Sequence, residues 1–221
     1  MRAAVMKLYG YFRSSATYRV RIALNLKGIP WEAVLVDLRA PVSAQHTPEF
    51  RALNPQGLIP VLTDGERPIA QSLAIIEYLE ETHPQPPLLP RAPAQRAQVR
   101  ALALAVACDI HPLNNLRVLN YLRSPLGHDD GTVNNWYAHW ITLGFDALEK
   151  EAQRLSGDGR HMFGTSVTLA DVCIVPQMYN ARRYRCDLAP YPTLRGICAH
   201  LQTLPAFASA APDAQPDAGP A

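Results

Sequence analysis

Apolar and polar positions follow two rhythms along this chain, one in its first third and another beyond it. Residues 5–11 (VMKLYGY) form a short apolar run of strand length. Val20, Ile22, Leu24 and Leu26 then alternate as in a strand. A helix over 15–27 is nevertheless predicted. Ser14 or Ser15 can cap it, Ala and Leu favour it, and Gly28 with Pro30 ends it. WEAVLVDL (31–38) predicts a second strand, and 45–53 a short helix closed by Asn54-Pro55. VLTDGERPIA (61–70) predicts a hairpin turning at Asp64-Gly65. Ser72 is expected to cap SLAIIEYLEET, where Leu73, Ile76 and Leu79 share one face.

The order β-α-β-α-β-β-α implies a parallel core with an antiparallel strand added by the hairpin. The segment that follows is rich in proline and reads as a linker between domains. Beyond it the rhythm is helical. Residues 96–122 predict one long helix bent near Pro112, and 133–155 predict a second. Thr168 with Asp171 three residues later fits a capping box, opening a helix to about Arg182. A last helix is expected near 192–203. The implied domains are 1–85, a linker over 86–95, a helical domain over 96–207, and a disordered tail over 208–221 rich in Ala, Pro and Asp.

Composition narrows the classes. The chain has 221 residues, 48% hydrophobic and 18% charged, with a net charge of +2. That bias is too weak to argue for nucleic acid or a membrane surface. No apolar run reaches the ~18 residues of a membrane span, and MRAAVMKLYG lacks the apolar core of a signal peptide, so a cytoplasmic protein is expected. Cys108, Cys173, Cys186 and Cys198 show no C-x-x-C spacing. They suggest neither a disulfide framework nor a metal site, and are expected to be buried, inert thiols.

A β-α-β-α-β-β-α unit followed by helices suggests a thioredoxin-like α/β domain with an appended all-α domain. Ile59-Pro60, at the entrance of the third strand, is compatible with a cis peptide there. A redox protein of this fold would carry C-x-x-C at the first strand–helix turn, where this chain has Arg13-Ser14-Ser15-Ala16. The chain thus supplies no thiol of its own at that corner. A serine hydroxyl at a helix N-terminus can still activate a thiol from outside, by donating to the thiolate within the positive potential of the helix end. Ser14 is the candidate; the plainer alternative is that both serines only cap the helix.

The stretches YFRSSATYRVRIALNLKGI (11–29), FRALNPQGLIPVL (50–62), QSLAIIEYLEETHP (71–84), DIHPLNNLRVLNYL (109–122), TLADVCIVPQ (168–177) and DLAPYPTL (187–194) together resemble the zeta-class glutathione transferases. That family includes maleylacetoacetate and maleylpyruvate isomerases, and the resemblance spans about 10–200. It implies glutathione as cofactor, with its sulfur at Ser14 and its cysteinyl backbone against Ile59 before a cis Pro60. Ser15 caps the helix and touches glutathione. Gln71 and Ser72 hold the γ-glutamyl end, and Gln45 meets the glycyl side. His111, with Asn114 or Asn115, makes a polar contact to glutathione.

The implied reaction is cis–trans isomerisation of a maleyl-type double bond by reversible thiolate addition. Arg13, Arg117 and Arg183 are the expected ligands of the dicarboxylate substrate. Maleylacetoacetate is the first-choice substrate and maleylpyruvate the alternative; a conjugating transferase or dehalogenase is a further class. A homodimer is implied. Many relatives carry Cys where this chain has Ala16, so serine must suffice here.

Overall fold

The structure, a computed structural model, describes residues 5–39 and 43–218. It divides into two compact units. One takes the chain up to Pro87 together with the stretch from Leu204 onward; the other is Leu88–Thr203.

In the first unit a mixed sheet of order β2-β1-β3-β4 is built from β1 (Met6–Gly10), β2 (Trp31–Leu35), β3 (Val61–Asp64) and β4 (Arg67–Ala70). β1 runs parallel to β2 and antiparallel to β3, and β3 and β4 form the expected hairpin. Helices α1 (Ser15–Leu26), α2 (Pro48–Leu53) and α3 (Ser72–Thr82) connect and cover it. The sheet's central residues Leu8 and Leu62 are fully buried, as are Ile75, Ile76 and Leu79 of α3. A Cβ on Gly10 would lie 2.3 Å from Thr17 Cγ2, so only glycine lets the end of β1 meet the first turn of α1.

Helix α1 is buried from Ser15 through Leu24, including Arg19 and Arg21. A helix buried all round needs no polar face, which is why its apolar positions show no 3.6-residue period. α3 packs on it, and so does α9 (Pro205–Ala208). The residues after α9 correct the expectation of a disordered tail over 208–221. Tyr18 Oη donates to Phe207 O at 3.4 Å, Asn25 Nδ2 to Ala206 O at 3.1 Å, and Arg21 Nε to Ala210 O at 2.9 Å. Phe207 and Ala210 are fully buried, and short 3-10 turns follow at Pro212–Ala214 and Pro216–Ala218. Within that tail Ala210 O serves the buried Arg21, Gln215 Nε2 donates to Ser209 O and Ala211 O, both at 2.9 Å, and Asp217 reaches Phe12 N–H, so the backbone there is tied down. Residues 219–221 of that expectation lie outside the described residues. At the far end of α1, the wholly buried Lys27 side chain donates to Glu80 Oε2 (2.8 Å), His83 O (2.7 Å) and Pro86 O (3.1 Å). A buried cation needs that many partners to offset its desolvation.

The second unit contains helices α4 (Pro93–Leu104), α5 (Leu116–Arg123), α6 (Asp130–Leu155), α7 (Leu169–Arg183) and α8 (Pro192–Leu201). The linker expected over 86–95 is shorter than that. Leu88 and Leu89 are buried, Leu88 O accepts from Leu169 N–H at 2.8 Å, and α4 starts at Pro93, a position that suits proline. The single helix expected over 96–122 is also corrected. After α4 the chain widens into a π-helical segment, Ala105–Ile110, and His111 N–H reaches back five residues to Val106 O. Pro112 has no N–H to continue the ladder, and α5 restarts from its own N-cap, Asn115.

The expected capping box opens α7, with Asp171 fully buried. Across the unit, the carboxylate of buried Glu149 on α6 accepts from Thr193 and Leu194 N–H, both at 2.9 Å, and so caps the N-terminus of α8.

Candidate active site

The strand register gathers three segments of the first unit at one end of its sheet. Tyr9 pairs with Val61, and Val61 pairs with Ala70. The turn after β1, the start of β3 and the start of α3 are therefore neighbours. These are the segments holding Arg13, Ser14 and Ser15, then Ile59 and Pro60, then Gln71 and Ser72.

Ser14 is the N-cap of α1, in extended conformation, and its Oγ accepts from Thr17 N–H at 3.2 Å. Ser15, expected to be the cap, is instead the first helical residue and is buried. Capping and thiol activation do not compete in Ser14. The cap uses a lone pair of Oγ, and the hydroxyl hydrogen stays available to donate. Arg13 sits beside it, with Nη2 donating to Tyr11 Oη at 3.2 Å and the guanidinium 5.0 Å from the Phe12 ring centroid. Its Nε is buried without a hydrogen-bond partner.

Ile59–Pro60 is a cis peptide bond. Ile59 precedes the first paired residue of β3, and its N–H and C=O enter neither the ladder nor any turn among the described residues. Gln71, not Ser72, is the N-cap of α3. It has φ +71°, and its Nε2 donates to Gln56 Oε1 at 3.0 Å. Ser72 is the buried first residue of the helix. A non-glycine residue at positive φ is strained, and such strain collects where a site needs it. Gln45 is buried in the 3-10 turn Ala44–His46, and its Oε1 has no partner.

The electrostatics of this end are simple. Neither α1 nor α3 carries an acidic residue in its first turn. Both N-termini thus present positive potential to whatever anion arrives. Glutathione fits these groups. Its thiolate suits Ser14 and the end of α1, a carboxylate suits the end of α3, its peptide suits the free backbone of Ile59, and an amide suits the orphaned oxygen of Gln45.

The remaining predicted residues lie in the second unit. Asn114 is buried; its Nδ2 donates to Tyr137 O at 3.1 Å while its Oδ1 has no partner. Asn115 caps α5 by accepting from Arg117 N–H at 3.1 Å, a structural task. His111 follows the π-helical segment and is half-buried. Arg117, exposed in the first turn of α5, is not on one continuous helix with His111 as expected. Arg183 ends α7 and lies 5.2 Å above the Tyr184 ring, which stacks on Tyr137 at 3.6 Å and 9°. Its neighbour Arg182 is engaged by Gln202 Oε1 at 3.0 Å.

Cysteine chemistry is absent from the first unit. Cys173 and Cys198 are buried, and burial pushes the Cys198 thiol up to about 12. Cys186 is half-buried, but Cys108 is exposed on the π-helical segment, against the expectation that all four are buried. Among the described residues, no group of His, Cys, Asp and Glu is placed to hold a metal ion, and no helix is long and apolar enough to cross a membrane.

The turn's other partners, Arg21 and Asp217, escaped sequence reasoning. Arg21 Nη2 donates to Phe12 O at 2.9 Å, and Phe12 N–H donates to Asp217 Oδ2 at 3.0 Å. A signal for Asp217 was present: Pro-Asp-Ala occurs at 212–214 and again at 216–218, and proline followed by an acid is a helix-start pattern.

Residues 8–87 match the family model for the glutathione S-transferase N-terminal domain. The chain belongs to the glutathione S-transferase family, and within it to the zeta class. It is 55% identical over 211 residues to a probable maleylacetoacetate isomerase of Vibrio cholerae, covering 96% of this chain and 97% of that one. A holo structure of maleylpyruvate isomerase, a bacterial zeta-class enzyme, superposes with a TM-score of 0.93 at 48% identity, covering 96% of this chain and all of that one. A maleylacetoacetate isomerase from Anaeromyxobacter dehalogenans, solved with dicarboxyethyl glutathione and citrate in its active site, gives 0.86 at 42% identity with full coverage of both chains.

Proposed function

We propose that this protein is a glutathione-dependent cis–trans isomerase that converts maleylacetoacetate to fumarylacetoacetate, the step used in tyrosine catabolism. One observation carries the reading. The Ser14 hydroxyl caps a helix whose first turn holds no acid, and it keeps its hydrogen to donate.

Bound glutathione supplies a thiolate that adds reversibly to the conjugated double bond, freeing it to rotate. Ser14 donates to that sulfur, and the N–H groups of α1 add potential that keeps it ionised near neutral pH. Ile59 holds the cysteinyl backbone beside Pro60, Gln71 and Ser72 hold the γ-glutamyl end, and Gln45 holds the glycyl side. His111 and Asn114 add polar contacts. Arg13 neutralises the charge that builds on the substrate during addition.

Arg117 and Arg183 take the substrate carboxylates, for which arginine's planar fork is suited. Their alanine variants are expected to raise KM for the dicarboxylate about tenfold, the loss of one charge-assisted hydrogen bond, with glutathione affinity unchanged. A KM that stays at the wild-type value in both would return these arginines to the surface. The protein works as a homodimer in the cytoplasm, as the zeta class and the four free thiols suggest.

Maleylpyruvate is the second reading, favoured by the similarity to the maleylpyruvate isomerase structure and by the exposed Arg117. Turnover of both substrates with catalytic glutathione separates them. Fumarylacetoacetate is expected to form faster, with the free thiol titre constant. Much faster formation of fumarylpyruvate would reverse the order, and stoichiometric thiol loss would identify a conjugating transferase.

A further inference from the structure

The peptide groups flanking Phe12 are held from both sides by residues distant in sequence. The Phe12 carbonyl accepts from Arg21 Nη2 at 2.9 Å, and the Phe12 N–H donates to Asp217 Oδ2 at 3.0 Å. The same Arg21 donates through Nε to Ala210 O at 2.9 Å. One buried guanidinium therefore ties the turn before Ser14 to the C-terminal stretch, and that stretch returns a carboxylate to the same residue. Burial lowers the pKa of Arg21 to about 10 while the charges of Asp217 and Tyr18 oppose it, so it stays a cation at neutral pH. Ser14 N–H in turn donates to Tyr11 O at 3.0 Å, so Phe12 lies inside the turn that sets the Ser14 hydroxyl.

We propose that Asp217 is a positioning residue for the reaction: through the Phe12 N–H it fixes the turn that aims Ser14 at the glutathione sulfur. The inference rests on the isomerase reading for its kinetic consequence, and on the Phe12 hydrogen bond alone for its structural one. An oxygen misplaced by a fraction of an ångström donates poorly, and catalysis falls faster than binding. Asp217 touches neither substrate nor cofactor in this scheme. Asp217 lies half-buried in the 3-10 turn Pro216–Ala218, none of whose residues is buried, so its side chain fills no part of the apolar core.

The test compares Asp217→Ala and Asp217→Asn in the full chain. Asparagine keeps an oxygen that can accept from Phe12 N–H; alanine does not. Expected for Asp217→Ala are a fall in kcat of about tenfold, KM for glutathione changed by less than about twofold, a raised pKa of the bound glutathione thiol by ultraviolet titration, and faster hydrogen exchange of the Phe12 amide. Asp217→Asn is expected to restore kcat to within about twofold of wild type. Wild-type kcat and thiol titration in Asp217→Ala would overturn the proposal, even if that variant melts earlier, because the tail would then be structural only. An Asp217→Asn variant as slow as Asp217→Ala would overturn it too, by showing that charge matters and the acceptor does not. If the wild-type protein neither binds glutathione nor isomerises, the functional reading fails, and Phe12 exchange alone decides whether Asp217 holds the turn.

Discussion

Replacing Ser14 with alanine is expected to lower kcat by about tenfold to a hundredfold while glutathione affinity changes much less. The range is the free energy of a hydrogen bond to a charged group, about 1.5–3 kcal/mol. Glutathione is held at several points along its length, so losing one donor at the sulfur weakens binding little. The sulfur's ionisation depends on that donor directly. The bound thiol's pKa is expected to rise in Ser14→Ala, so the loss of rate should be greatest at low pH and should shrink as pH rises past the new value. Stability offers a separate reading, because the same substitution removes the cap on Thr17 N–H and is expected to cost about 1 kcal/mol. Ser14→Thr, which keeps both lone pair and hydrogen, should recover most of each. Unchanged kcat in Ser14→Ala would transfer the activating role to Ser15 or to a backbone N–H of α1.

The largest stability effect is expected at Asp171. Its carboxylate accepts from Met162 N–H at 2.8 Å, Thr168 N–H at 2.7 Å and Thr168 Oγ1 at 2.9 Å, and it is completely buried. Burial raises its pKa to about 6, against the pull of these three donors and of His161. The folded value lies above the ordinary one, so ionisation itself costs stability between about pH 4 and 6. That cost is fully incurred at neutral pH and partly offsets the three bonds. Asp171→Ala leaves all three donors without a partner in the protein interior, at about 1–3 kcal/mol each before relaxation. A net loss of about 3–4 kcal/mol is expected, measured as a lowered midpoint in urea with an unchanged slope. Because the variant no longer carries the raised carboxyl, its deficit relative to wild type should be larger at pH 5 than at pH 7.5. A loss below about 1 kcal/mol would mean that water replaces the carboxylate.

Features set by a few adjacent residues were legible in the sequence. The β3–β4 hairpin, the α7 capping box and the end of α1 at Gly28, which has φ +64°, each depend on local chemistry. What escaped depends on partners remote in the chain. The tail reads as disordered by composition, yet Ala210 O accepts from Arg21 and Asp217 accepts from Phe12 N–H, partners about 190 and 205 residues earlier. The break between α4 and α5 was visible as Pro112, but the π-helical widening before it was not. Choosing between Ser14 and Ser15 as cap was a one-residue question that backbone angles decide and residue type does not. At the candidate site, Ser14 and the cis-compatible Ile59-Pro60 stood out from local pattern, and Gln71 from family resemblance; the sheet register brings their segments to one end. Arg21 and Asp217 did not stand out as partners of the turn, since an arginine in a helix and an aspartate in a tail ordinarily face water; the Pro-Asp-Ala repeat marks only a local turn at Asp217.

Helix α1 has a consequence for how this sequence can drift. A helix with a solvent face offers positions where mutation is nearly neutral. From Ser15 to Leu24 every residue is buried, with α3 and α9 packed on the helix. Even its two arginines are interior, spending their donors on Ser15 O, Phe12 O and Ala210 O. Substitution in this stretch is therefore constrained as much by enclosure as by the chemistry of its first residues. A relative that altered the C-terminal segment would gain freedom to vary at residues 18, 21 and 25, far from it in the chain.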